Sequence, residues 1–394
     1  MKILMITQNF YPELGSAANR MKVIFKHLIK RKHDVTVITT EPTYPNQALF
    51  EDRSYFDDEM LNQYEGYKII RLIMRGKKQN KIIINRLLYY FEQYIKLRIF
   101  LNRHKDDYDC VYVTSPNIFL AWATLFFKKK DLTYILEIRD LWPDSVDQIK
   151  GINITFLMPL LRYLETKMYN AADKIVVNNK SFIPHIRNQL RTNKPIKFIP
   201  NGLEKEEIKD MQKYNDFTVI YSGNIGYAQD LSKIIQLTKS LNDQHINVMM
   251  IIYGVKAEEF RKSVAQLKYV TIKPAMSRQD CLTEISKCHV SLSILEGNDI
   301  FLSVLPGKIT DAIGVGTLPV TNIGGHANEM INNEQLGIAI ENAQVDALLT
   351  EIEYLKNNRK QYEKLQQNTK HFRNDNLLWE SNIVKLEKFL KGEM

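Results

Sequence analysis

Three loops in this sequence place small residues, and in one case a cation, where a strand hands over to a helix, an arrangement suited to phosphate groups. Asn9–Asn19 (NFYPELGSAAN) sets Gly15 and Ser16 before a helical stretch. The first amides of a helix have no partner inside it and carry partial positive charge, so they favour an anion. An ordinary turn with an N-cap accounts for the same residues. Tyr221–Gly226 (YSGNIG) again follows an apolar run and offers Gly223 and Asn224, with free amides, to a diphosphate. It lacks the lysine of a P-loop, so ATP hydrolysis is not indicated. Pro306-Gly307-Lys308 opens the segment KITDAIGVGTLPV. A lysine at a helix start can ion-pair with a diphosphate, and Asp311, three residues on, shares its face and can bind ribose hydroxyls. A solvated Lys and Asp on a surface helix is the alternative.

The elements that must position these loops form an alternating pattern. Apolar strands are expected at Lys2–Thr7, Asp34–Thr39, Cys110–Thr114, Tyr134–Ile138 and Lys174–Val177, with a helix at Ala17–Lys30 between the first two. After Phe198–Leu203 and the polar stretch Glu204–Asp216 the alternation restarts at Phe217–Ser222. It continues through Val248–Tyr253, Tyr269–Ile272, Val290–Ile294 and Leu318–Thr321. Strands alternating with helices imply parallel sheets covered on both faces. The expected architecture is α/β, with two Rossmann-like doubly wound domains, residues 1–200 and 201–374, facing a central cleft. Ligands in such sheets bind outside the carboxyl ends of the strands.

A chain of 394 residues, 44% hydrophobic and 25% charged, suffices for two such cores. Cys110, Cys281 and Cys288 cannot all pair and show no zinc spacing, which fits a reducing compartment and no structural metal. The start, MKILMITQNFYPE, reads as a strand and turn rather than a secretion signal, so a cytoplasmic location is expected. The apolar run Ile118–Phe127 is about half the length of a membrane-spanning helix. Net charge is +9, yet Lys68–Lys105 alone holds eleven basic residues against one acid, Glu92. There Lys77, Lys78, Lys81 and Arg86 interleave with isoleucines and leucines, and Tyr89, Tyr90, Phe91 and Tyr94 follow. This is the composition of a peripheral anchor to an anionic membrane. A basic helix with a core-facing apolar side is the alternative, and nucleic acid is not expected, since no reading motif accompanies the charge.

The order of segments resembles the family 4 glycosyltransferases of the GT-B fold, especially the bacterial subgroup that transfers amino or deoxy sugars in capsule and O-antigen synthesis. The likeness rests on the glycine loop after the first strand, Arg139-Asp-Leu-Trp-Pro-Asp-Ser145, Ile199-Pro-Asn-Gly202, Ser222–Gly226, and Pro306-Gly-Lys308 leading to Gly314-Val-Gly316. The resemblance implies a UDP-sugar donor, with an N-acetylated hexose or deoxyhexose transferred. Lys308 then neutralises the diphosphate and Asp311 takes the place of the second glutamate of an E-x7-E pattern, which grips the ribose. Eight residues before Asp311 stands Ser303 rather than glutamate, while Glu296-Gly297 resembles the usual Glu-Gly seven residues early, so the partner of the transferred sugar is open between them. Arg139-Asp140 stands where many members have His-Asp. Asp140 is the candidate near the acceptor hydroxyl, as base or orienter, unless it is a loop carboxylate paired with Arg139. The C-terminal helices, about 375–394, are expected to cross back to the first domain.

The resemblance also implies retention of anomeric configuration, the leaving diphosphate assisting the incoming hydroxyl, with no divalent metal or other cofactor. Asp107-Tyr108-Asp109 spells the D-x-D of metal-dependent transferases but precedes a strand in a charged loop, and is read as coincidence. Membrane contact fits a polyprenyl-diphosphate-linked acceptor. Two alternatives use the same fold: a nucleotide-sugar epimerase, for which the basic apolar segment has no purpose, and a catalytically silent scaffold of a polysaccharide assembly complex. A dehydrogenase is disfavoured, because no G-x-G-x-x-G with an acid about 20 residues on follows any strand.

Overall fold

The computed structural model describes residues 1–394 except 77–82, 105, 106, 116, 145–154, 210, 298–304 and 394, and the side chains of 83, 84, 86 and 155 are likewise outside the description. The described residues divide into two compact units, one built from those up to Pro200 together with Asn382 onward, the other from Asn201–Ser381.

The first unit is built on a parallel sheet of seven strands: β1 (Lys2–Ile6), β2 (Asp34–Thr40), β3 (Ile69–Leu72), β4 (Cys110–Thr114), β5 (Thr133–Ile138), β6 (Lys174–Val177) and β7 (Ile196–Phe198). Their order is β3-β2-β1-β4-β5-β6-β7. Sequences such as KILMI and CVYVT are apolar at successive positions because helices cover both faces of the sheet, and β4 is buried along its whole length. The helix Ser16–Lys30 turns Met21, Ile24, Phe25 and Leu28 to that core.

The second unit repeats the plan with six parallel strands: β8 (Thr218–Asn224), β9 (Asn247–Tyr253), β10 (Val270–Lys273), β11 (Val290–Ser293), β12 (Leu318–Thr321) and β13 (Ile338–Ala339), in the order β10-β9-β8-β11-β12-β13. The order reverses between β1 and β4 in one sheet and between β8 and β11 in the other. Loops leaving those central strands lie at the switch points where doubly wound sheets bind ligands. Three strands, β3, β7 and β13, go beyond the sequence expectations. β7 and β13 are only three and two residues long, and β3 lies inside the basic segment, so no apolar run marks them.

The strand β3 revises the reading of the basic segment. Ile69 is fully buried in the sheet, and Arg71 donates to the carbonyls of Thr40 and Tyr11 at 3.0 and 2.7 Å while pairing with Glu65. Lys68 pairs with Asp34. These residues of the segment serve the fold. Asp109 of the D-x-D triplet is also structural, accepting a bond from the backbone amide of Lys2 at 2.8 Å.

The Asn201-Gly202-Leu203 turn opens the second unit and is fixed by its own C-terminal end. Leu203 donates to the Leu377 carbonyl at 2.9 Å and Trp379 donates back to Leu203 at 3.0 Å. A Cβ at Gly202 would fall 2.1 Å from that Leu377 oxygen, and one at Gly314 would fall 2.1 Å from the Leu203 side chain, so both glycines are required by close approach. The following helix, Trp379–Lys391, runs into residues that belong to the first unit. There Glu387 pairs with Arg31 and His33, and Lys174 donates to the Phe389 and Leu390 carbonyls at 2.8 and 3.0 Å, closing the helix C-terminus.

Candidate nucleotide-sugar site

In the second unit, β8 ends in Ser222-Gly223-Asn224, and Gly223 has φ +114°, a conformation that side chains rarely adopt. The freed space is filled by Lys308, whose Cε would lie 3.1 Å from a Cβ at Gly223. Lys308 comes from the first turn of the helix Gly307–Gly314, which has no side-chain N-cap and no acidic residue in that turn. Its ammonium donates to the Tyr221 hydroxyl at 2.5 Å and to the Asn224 carbonyl at 3.2 Å, and stands 3.8 Å from the Tyr221 ring centroid. Tyr221 in turn donates to the Asn224 carbonyl at 2.8 Å.

Among the described residues no carboxylate pairs with Lys308. Burial pulls its pKa down to about 7, although the residue keeps some solvent access. A cation at a helix N-terminus is opposed by the helix dipole, and an unpaired desolvated cation is costly. A diphosphate would relieve both, because its charge meets the ammonium and the open amides together.

Asp311, one turn further along, is held by Arg278 at 3.0 Å, and the same guanidinium pairs with Glu207 at 2.5 Å. Burial raises the Asp311 pKa above the ordinary range, against the pull of Arg278. Glu207 is fixed in turn by its bond from the Glu204 amide at 2.9 Å. Glu296 follows β11 at a half-buried position, and its amide donates to the Ala228 carbonyl at 3.0 Å. The preceding residue is clamped by Asn322, which accepts from the Leu295 amide at 2.9 Å and donates to its carbonyl at 2.7 Å. Ser303 lies outside the described residues, so its relation to Glu296 is open.

In the first unit, Gly15 and Ser16 are exposed at the start of the helix Ser16–Lys30, which has no side-chain cap. The loop before them is locked by buried Glu13, which accepts from the Thr43 and Tyr44 amides at 2.8 and 3.0 Å and from Asn9 at 2.7 Å. The Arg139 guanidinium turns to the Ser115 carbonyl, 2.7 Å away, rather than forming an ion pair with Asp140. Asp140 is left with a pKa raised to about 6 by burial, which Arg139 only partly offsets. Beside them Glu137, fully buried on β5, accepts from Arg20 at 2.8 Å and Tyr112 at 2.6 Å. Lys77, Lys78 and Lys81 lie outside the described residues, as does the side chain of Arg86.

Sequence reasoning did not single out Tyr221, Arg278, Glu207 or Asn322. Arg278 and Asp311 are 33 residues apart, so no local spacing links them. For Tyr221 the signal was available: an aromatic hydroxyl two residues before a strand-end glycine.

Two family models match end to end, Glycosyltransferase Family 4 over residues 17–207 and Glycosyl transferases group 1 over residues 204–372. The chain is a family 4 glycosyltransferase. Among curated proteins it resembles one from Escherichia coli K12 that carries the name colanic acid biosynthesis glycosyl transferase WcaI. The two are 22% identical over 342 residues, covering 80% of this chain and 82% of that protein. Among solved structures, the sucrose-phosphate synthase of Thermosynechococcus elongatus matches with a TM-score of 0.76 at 12% identity, over 100% of this chain and 98% of that one. Anabaena HepE in complex with UDP-glucose matches with a TM-score of 0.71 at 13% identity, over 100% of both chains. These likenesses establish the GT-B fold for this glycosyltransferase. No helix among the described residues is long and apolar enough to cross a membrane.

Proposed function

We propose that this glycosyltransferase moves a sugar, an N-acetylated hexose or deoxyhexose, from a UDP-sugar to a polyprenyl-diphosphate-linked acceptor during surface polysaccharide synthesis, at the inner face of the cell membrane. The observation that carries the reading is Lys308, an enclosed cation at an uncapped helix start with no carboxylate partner among the described residues. It supports a diphosphate between Lys308 and the Gly223-Asn224 loop. Asp311, oriented by Arg278, is assigned to the ribose and Glu296 to the transferred sugar. The name of the E. coli relative supports a polysaccharide product, and the HepE complex supports UDP.

In the reaction the bond between the anomeric carbon and the diphosphate oxygen breaks, and the acceptor oxygen bonds to that carbon on the same face. The acceptor proton passes to the leaving diphosphate, giving UDP and a glycoside of retained configuration. The protein contributes positioning and charge neutralisation. Lys308 and the amides of the helix Gly307–Gly314 meet the charge that builds on the leaving group, without a divalent metal. Asp140 is assigned to the acceptor hydroxyl together with Arg139, and the Gly15-Ser16 helix start to the nucleotide-sugar.

The test is a scan of UDP-, GDP- and dTDP-sugars with a short-chain polyprenyl-diphosphate sugar, reading nucleotide release and product mass together. UDP release coupled to a one-sugar mass gain supports the reading. Donor binding without turnover across a broad acceptor set would sink it in favour of a silent scaffold.

A further inference from the structure

The helix Ile83–His104 packs Tyr89, Gln93, Leu97 and Leu101 against the first unit, one residue per turn on a single face. The opposite face of a helix so packed is normally polar. Here it carries Leu88, Phe91, Ile95 and Ile99, which are 59%, 54%, 42% and 47% exposed. Four large apolar residues in an outward stripe are not explained by packing within the chain.

The helices packed beside it expose further apolar residues. Exposed Phe127 follows the helix Ile118–Leu125, and Arg98 stands over its ring at 4.1 Å. The helix Met158–Ala171 adds Leu160 and Tyr163, 55% and 59% exposed, and Lys167 stands 4.6 Å from the Phe126 ring. Cations therefore flank the apolar surface. The one acid of the helix Ile83–His104, Glu92, is taken up by Lys96 and by the Arg75 and Gly76 amides.

Half-buried aromatic rings run from the inner side of this helix to the Asp140 loop. Tyr90 stacks on Phe119 at 5.9 Å, Phe119 meets Trp122 at 5.4 Å, and Trp122 meets Trp142 edge-on at 5.9 Å. Trp142 is two residues from Asp140.

We infer that this face, centred on Leu88, Phe91, Ile95 and Ile99, lies in the acyl layer of an anionic bilayer, and that the aromatic row guides the acceptor's lipid chain toward Asp140. The inference rests on the lipid-linked acceptor proposed above. An in-plane surface with an apolar centre and cationic flanks matches acyl chains below lipid phosphates. A second copy of the chain fits less well, because a self-complementary pairing of one patch would bring the cationic flanks together.

Full-length protein is floated with vesicles of phosphatidylethanolamine and phosphatidylglycerol. Phe91→Ser with Ile95→Ser is expected to weaken binding by roughly tenfold or more. Its turnover of a water-soluble acceptor analogue should be unchanged. A second variant avoids any loss of apolar area: the added indole of Phe91→Trp should be quenched by lipids brominated along their chains. If wild-type protein binds vesicles but the double variant binds equally well, or the added indole escapes quenching, the assigned face is wrong while the membrane reading stands. If wild-type protein binds no vesicles, the membrane reading itself falls. A wild-type dimer that the double variant dissociates, with vesicle binding unaltered, would hand the face to a second copy.

Discussion

The ammonium of Lys308 lies 2.5 Å from the hydroxyl of Tyr221 and over its ring, at a helix start where a positive charge is intrinsically disfavoured. The contact is a neutral one, an acceptor hydroxyl and a π face, and so holds the lysine in place without cancelling its charge. That charge is what the account assigns to the donor.

The first prediction concerns protons. The Lys308 pKa stands near 7 in the ligand-free chain because burial disfavours the ammonium, and an adjacent diphosphate restores it. Above pH 7 free Lys308 is mostly neutral and bound Lys308 is charged, so UDP binding takes up a proton and affinity falls as pH rises. We predict up to about a tenfold loss per pH unit between roughly 7.5 and 9. Calorimetry in two buffers of different ionisation enthalpy measures the uptake, which Lys308→Met should abolish.

Asp140 is predicted to trade stability for function. Its folded pKa, about 6, lies above the ordinary aspartate value of 3.8, so the folded state binds more protons between those values. Stability from this group is therefore lost as pH rises through that window. Asp140→Asn should raise Tm at pH 7.5, by on the order of 1 kcal/mol in stability, and give no gain near pH 3.5. Turnover should fall by about a hundredfold or more with the donor KM nearly unchanged. A variant with full turnover would remove Asp140 from the acceptor site.

Arg278 carries two carboxylates, Asp311 and Glu207, so its loss leaves both half-buried without their cation. Arg278→Met should cost about 2–3 kcal/mol. It should also raise the KM for UDP-sugar, and Arg278→Lys should recover only part of either effect, since a single ammonium cannot reproduce the fork. Urea denaturation and donor kinetics on the same preparations measure both. Unchanged KM in a folded Arg278→Met would separate Asp311 from the ribose.

Gly202→Ala would place a methyl 2.1 Å from the Leu377 carbonyl and push the C-terminal segment off Leu203. A loss of more than about 2 kcal/mol is expected, with earlier proteolysis between Arg373 and Trp379 than in wild type. Wild-type Tm and cleavage would contradict this reading of the turn.

The two parallel sheets were legible because strands buried on both faces are written as unbroken apolar runs, as in KILMI, CVYVT and NVMMIIY. The edges were not: Ile196–Phe198 and Ile338–Ala339 are too short to show a period, and Ile69–Leu72 was absorbed into the basic segment around it. Lys308 could be picked out, since a strand, a glycine turn and a helix start announce themselves locally. Its setting could not, because Tyr221 is 87 residues away in sequence, and Arg278 joins Glu207 and Asp311 across separations of 71 and 33. The outward stripe of the helix Ile83–His104 was equally hidden: leucines and isoleucines recur on several faces, and the fold alone shows which face is left over.

The most direct test of the central claim, that Lys308 holds the donor diphosphate, is a calorimetric comparison of uridine, UMP and UDP binding to wild-type protein and Lys308→Met. The account predicts that affinity climbs from uridine to UDP in wild type, and that Lys308→Met erases most of that climb while leaving uridine binding intact. Equal UDP affinity in the two proteins would contradict it.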